Sequence, residues 1–191
     1  MKPNKPRVGV VIGSGGIKTL ASVELFRFLD EEKIPIDLLI GCSGGGIIAT
    51  LKGCGYSPSE IVKYVKHFWN RRLFSRIEFR TFCDILQIPF FRFHKERALL
   101  KPDLIKKTLS DFFGEKKLED VPIPTILQAT DVDSGEGIVL TSGRIADLLY
   151  VSGAQFPFLP PGKIGERWLA DGGFSSSLPI LEAVKRGMDV I

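Results

Sequence analysis

Histidine is scarce in this chain of 191 residues: there are two, His67 and His94. His67 falls in a helical pattern and His94 in a basic stretch, and neither stands at a strand end. A Ser-acid-His triad of the α/β-hydrolase order needs a histidine late in the chain, and none follows position 94. Cysteine is nearly as rare, with Cys42, Cys54 and Cys83 making an odd count without metal-ligand spacing, which reads as reduced thiols. No stretch approaches the ~20 apolar residues of a membrane span. The apolar run near the N-terminus is too short for a signal peptide. These absences point to a cytoplasmic or peripheral-membrane location and leave signal-less export open. The formal charge of +4 is mild and its cations are dispersed, which argues against nucleic acid as a partner. Repeats and low-complexity tracts are missing too.

What is present is a chain that is 44% hydrophobic, enough for one well-cored domain. Residues 7–12, 37–40, 124–130, 137–141 and 167–170 read as strands. Residues 17–33, 47–52, 57–69, 103–113, 144–151 and 178–187 read as helices. Ser57 and Glu60 form a capping box around a first-turn proline. The turn 131–136 suits a hairpin. It resembles a calcium loop only faintly, because Gly135 and Glu136 occupy the wrong places, so no metal site is expected. Strands alternating with helices predict an α/β fold, a three-layer α/β/α sandwich around a mostly parallel sheet. Residues 188–191 open like a further strand, which suggests that the natural protein continues beyond Ile191.

Gly41-Cys42-Ser43-Gly44-Gly45 satisfies G-x-S-x-G between a strand and a helix. Such a turn needs glycines so that strand and helix cross closely. It presents the hydroxyl at a helix N-terminus, where amides favour developing negative charge. Ser43 is therefore a candidate nucleophile, and a plain N-cap serine is the alternative.

Residues 13–19 also join a strand to a helix. A phosphate-binding loop would need glycine at positions 12 and 17, which hold Ile12 and Ile17. A dinucleotide fingerprint fails at Lys18. An oxyanion loop fits best, with Gly15 and Gly16 supplying amides and Lys18 either adding a positive charge or remaining solvated.

With no histidine placed to act, the base must come from elsewhere. Asp171-Gly172-Gly173 follows a strand and is the best candidate, although Asp-Gly is also a common plain turn. Between Lys66 and Lys101 the chain interleaves cations with phenylalanines. This segment is either a helical cap with aromatics inward or a lid seated on an anionic lipid surface.

In order and spacing, Gly15-Gly16-Ile17-Lys18, Gly41-Cys42-Ser43-Gly44-Gly45 and Asp171-Gly172-Gly173 together resemble the patatin-like phospholipase family. So do residues 152–161 leading to the aspartate, and Ala129-Thr130-Asp131 before Gly135. The resemblance covers nearly the whole chain and implies one patatin-like catalytic domain over 1–191, with 66–101 as its cap. It also implies that Ser43 is the nucleophile and Asp171 its only base, with Gly15 and Gly16 as oxyanion donors and Gly41, Gly45, Gly172 and Gly173 as motif glycines. The chain departs from the family at Ser14, at Thr19, and at Gly44, where alanine is more frequent.

The expected activity is hydrolysis of fatty acyl esters of phospholipids or related lipids, at a membrane surface, without metal or cofactor. A catalytically silent fold used as a lipid- or protein-binding module is the rival from another class. The sequence leaves the oligomeric state undetermined.

Overall fold

The structure, a computed structural model, describes residues 5–68, 81 and 98–191. Most of the basic, aromatic segment expected as a cap lies outside the described residues. The chain opens with β1 (Gly9–Ile12), a 3-10 turn (Gly16–Ala21) and α1 (Ser22–Glu31), then β2 (Leu38–Cys42), α2 (Gly44–Gly53) and α3 (Pro58–Phe68). After the gap come α4 (Asp103–Phe113), β3 (Thr125–Asp131), β4 (Gly137–Leu140) and α5 (Ile145–Ser152). β5 (Gly162–Ile164), β6 (Arg167–Asp171), a 3-10 turn (Gly172–Phe174) and α6 (Ile180–Lys185) complete it.

Three layers result, as expected for the α/β class. Alternate strand residues Val10, Ile12, Leu39, Leu127 and Ala129 join one large core with α1 to α5. Their neighbours Leu38, Ile40 and Ile126 face the other way, toward Ala183 of α6 and Met188. This period of two is the pleat of a sheet covered on both faces. β1, β2 and β3 run parallel, while β4, β6 and β5 are added antiparallel, so the sheet is mixed around a parallel core.

Several boundaries differ from the sequence reading. The helix expected from residue 17 begins as a 3-10 turn, where Thr19 Oγ1 donates to the Gly16 carbonyl and Ser22 Oγ to that of Thr19. Hydroxyls bonded three residues back tighten the chain there. The expected strand 188–191 is a single parallel bridge between Val190 and Val8. Capping of α3 is as expected, with Ser57 N donating to Glu60 Oε2 at 2.9 Å.

Register explains what the fold does for the site. Gly41 and Cys42 of β2 pair with Leu127 and Gln128, while Ala170 and Asp171 of β6 pair with Thr130 and Ala129. β4 pairs with all four of those β3 residues, so it takes the opposite edge. β2 and β6 therefore share one edge of β3 and run toward each other along it. Their C-terminal ends, Cys42 and Asp171, stand opposite consecutive residues of the same strand.

Candidate active site

Ser43 leaves β2 at φ 55 and ψ −123, a left-handed region that a residue with a side chain occupies at a cost on the order of 1–3 kcal/mol. The neighbouring glycines show what enforces it. A Cβ on Gly45 would meet the carbonyl oxygens of Ile12 and Gly13, and one on Gly44 would meet the Gly16 backbone. A Cβ on Gly41 would come within 2.5 Å of Gly46 Cα. Backbone meets backbone at each point, so the motif is a packing requirement. The plain N-cap reading does not hold, because the Ser43 hydroxyl caps nothing in α2. Instead Ser43 Oγ donates to Asp171 Oδ2 at 2.6 Å.

Asp171 is 4% exposed. Its Oδ1 accepts the Gly173 amide at 2.7 Å, and its own amide donates to the Ala154 carbonyl at 3.0 Å. Thr130 Oγ1 donates to the Asp171 carbonyl oxygen at 2.9 Å. Burial raises the carboxyl's pKa above the ordinary aspartate value, against the pull of the Ser43 and Gly173 hydrogen bonds. A carboxylate made more basic by desolvation and aimed at a hydroxyl can accept that hydroxyl's proton as the oxygen attacks. The adjacent Cys42 thiol is buried and faces the same carboxylate, which pushes its pKa up to about 12 and keeps it a neutral packing group.

Gly15 and Gly16 open the 3-10 turn at φ 159 and φ 56. The amides of Gly15, Gly16 and Gly44 have no acceptor among the described residues. Gly44 is a candidate oxyanion donor that the sequence reading left unassigned. The signal was available in the motif, since the amide after the nucleophile is the usual oxyanion donor of such a turn. A glycine at 44 is what lets the Gly16 backbone lie against the turn. Lys18 is exposed and stands outside the wall of the site. His67 is exposed at the end of α3, and His94 lies outside the described residues.

Ser43, Gly44 and Gly16 line a cavity of about 270 Å³. The rest of its wall is mainly apolar, including Ile47, Phe68, Ile105, Leu109 and Leu149. Such a lining accepts a hydrocarbon chain.

The site thus joins an elbow serine, a buried carboxylate and a largely apolar cavity on a three-layer α/β fold. The family model for patatin-like phospholipases matches residues 10–184, and the chain belongs to that family. It is 27% identical over 186 residues to lysophospholipase NTE1 of Debaryomyces hansenii, covering 96% of this chain and 11% of that protein. Against the neuropathy target esterase sws of Drosophila melanogaster it is 25% identical over 175 residues, covering 90% of this chain and 12% of the relative. This chain thus spans about a ninth of those relatives. Among solved structures it resembles VipD from Legionella pneumophila, with a TM-score of 0.60 at 15% identity over 88% of this chain and 46% of that one. It also resembles the type III effector protein ExoU, with a TM-score of 0.50 at 15% identity, covering 78% and 40%.

Proposed function

We propose that this chain is a serine lipid acyl hydrolase that cleaves fatty acyl esters of phospholipids or related lipids. One observation carries the reading: the 2.6 Å bond from Ser43 Oγ to Asp171 Oδ2, made at a strained elbow that opens on an apolar cavity. The acyl chain lies along the cavity wall with its ester carbonyl at Ser43. Asp171 takes the hydroxyl proton while Ser43 Oγ attacks the carbonyl carbon, and the Gly15, Gly16 and Gly44 amides receive the oxyanion. The protonated Asp171 then gives its proton to the departing alcohol oxygen, which leaves an acyl-Ser43 ester. Water, deprotonated by Asp171, attacks that ester, and Asp171 returns the proton to the departing Ser43 Oγ as the fatty acid is released. The names of the curated relatives, a lysophospholipase and an esterase, agree with this chemistry.

Exposed apolar residues on the cavity wall and next to the site turns in sequence support a membrane surface as the place of work. Phe158 is 52% exposed and lines the cavity, Ile17 follows Gly16, and Phe174, 57% exposed, ends the turn after Asp171. Exposed aromatic side chains suit the lipid interface, where the chain would be held peripherally. Among the described residues, no helix is long and apolar enough to cross a membrane.

A fluorophosphonate probe tests the reading. The folded wild type should be labelled covalently at Ser43, and Ser43→Ala should lose all labelling and all ester turnover. A folded wild type that takes no label would reject the hydrolase and favour the silent binding module.

A further inference from the structure

The end of α5 touches both halves of the candidate dyad without lying between them. Ser152, the last residue of that helix, is fully buried. Its Oγ accepts the Ser43 amide at 3.2 Å and donates to the Gln128 carbonyl at 2.7 Å. Two residues later the Ala154 carbonyl accepts the Asp171 amide at 3.0 Å. We propose that Ser152 is a positioning residue for the nucleophile, and that residues 152–154 form a clamp holding the backbones of Ser43 and Asp171 at one fixed separation. This rests on the reading of Ser43 as the nucleophile.

The topology creates the need for such a clamp. β2 and β6 meet end to end along one edge of β3, so the backbone ladder is interrupted between Cys42, opposite Gln128, and Asp171, opposite Ala129. The buried Gln128 carbonyl and the part-buried Ser43 amide fall at that interruption and require partners. A hydroxyl donates once and accepts, so a single serine serves both groups. The same carbonyl lies against Gly172, where a Cβ would strike it, so the Ser152 bond fixes a point shared with the base turn. Gly46 on the elbow helix packs on the other side, with a Cβ there falling 3.4 Å from Ser152 Oγ. The hydroxyl is thereby confined between the elbow helix and the central strand. Ser43 sits in a strained conformation, and an amide tether just before its Cα limits the peptide rotation that would relieve the strain.

The clamp is tested by the rate of fluorophosphonate labelling at saturating probe, resolved from the probe's apparent affinity, in wild type, Ser152→Ala, Ser152→Cys and Thr50→Val. Thr50 is the control, since its Oγ1 is buried on α2 without a hydrogen-bond partner. Ser152→Ala should keep the probe's affinity and the circular dichroism of the fold. Its limiting labelling rate should fall by about tenfold to a hundredfold, the scale on which small misplacements of a reacting group act. Ser152→Cys, with a weak donor and acceptor of similar size, should fall between the two, and Thr50→Val should label like wild type. Amide exchange over residues 42–44 should quicken in Ser152→Ala and not in Thr50→Val. If Ser152→Ala does not fold, Ser152→Cys is read in its place by the same two measurements. A folded Ser152 variant that labels as fast as wild type overturns the clamp and leaves the proposed hydrolase standing. An unlabelled wild type overturns both.

Discussion

Ser43 leaves β2 at φ 55 and ψ −123, whereas Asp171 leaves β6 at φ −49 and ψ 130, an extended conformation open to any residue. The turns are alike in sequence, each a strand ending in a polar residue among glycines. They are held differently. The serine turn is locked from outside, by the backbones of Ile12, Gly13 and Gly16 pressed against Gly44 and Gly45. The aspartate turn is locked by its own side chain, through the bond from the Gly173 amide to Asp171 Oδ1. One therefore stores conformational strain, and the other stores the electrostatic cost of a buried carboxylate. The pairing of a fixed hydroxyl with a basic carboxylate needs both.

Removing the charge breaks the comparison most sharply. Asp171→Asn should lower ester turnover by about 10⁴ or more, since loss of the triad carboxylate's charge costs about 10⁴ and loss of the general base itself about 10⁶. Stability should move the other way. Burial raises the folded-state pKa of Asp171, so the folded chain holds this proton more tightly than the unfolded one. The favourable contribution is complete below the unfolded pKa and is lost as pH rises through the folded value. Asp171→Asn should therefore melt no lower than wild type at neutral pH and should lack that part of the pH–stability curve. For the same reason the acid limb of wild-type kcat/KM should lie above the ordinary aspartate value of 3.8. An acid limb at or below that value would show that the hydrogen bonds outweigh burial.

Next in size is a direct contrast between the glycines. A methyl at Gly45 would meet two backbone carbonyls that cannot swing away, whereas one at Gly173 would meet Asp171 Oδ1 at 3.0 Å and Ser14 Oγ at 3.2 Å, both on side chains. Gly45→Ala should cost about 2–3 kcal/mol, the upper part of the range for overpacking, and abolish labelling. Gly173→Ala should remain folded with reduced turnover. Equal losses, by thermal melting and probe labelling, would remove the distinction between a turn locked by its surroundings and one that locks itself.

Much of this was legible in the sequence because it is local. β1 and β2 are short apolar runs ending in glycine, and the spacing of Gly41, Ser43 and Gly45 reports where backbones must cross. The Ser57–Glu60 capping box is likewise contained within four residues. What the sequence did not disclose depends on contacts between distant segments. β5, with three residues, carries too little alternation to be read. The antiparallel entry of β6 onto the edge already used by β2 leaves no mark on the periodicity of either strand. Ser152 looked like one small residue on the approach to the aspartate, yet its hydroxyl bonds to Ser43, 109 positions away. For Lys18 the sequence left two readings open, and the structure shows the residue exposed and outside the cavity lining.

The smallest expected effect sharpens the comparison further. Thr130 Oγ1 donates to the Asp171 carbonyl oxygen and lies 2.8 Å from Ser175 Oγ, so it anchors the main chain of the base turn from β3. If Asp171 is oriented chiefly by its own bond to the Gly173 amide, this anchor matters for stability more than for reactivity. Thr130→Val keeps the shape and deletes the hydroxyl, which also accepts the Ser175 amide, and should cost about 1–3 kcal/mol for the hydrogen bonds lost in a buried setting. The limiting labelling rate of Ser43 should stay close to that of wild type. A loss of labelling comparable to that of Gly45→Ala would mean that the aspartate turn is also held from outside. The two turns would then differ in backbone angle but not in the origin of their rigidity.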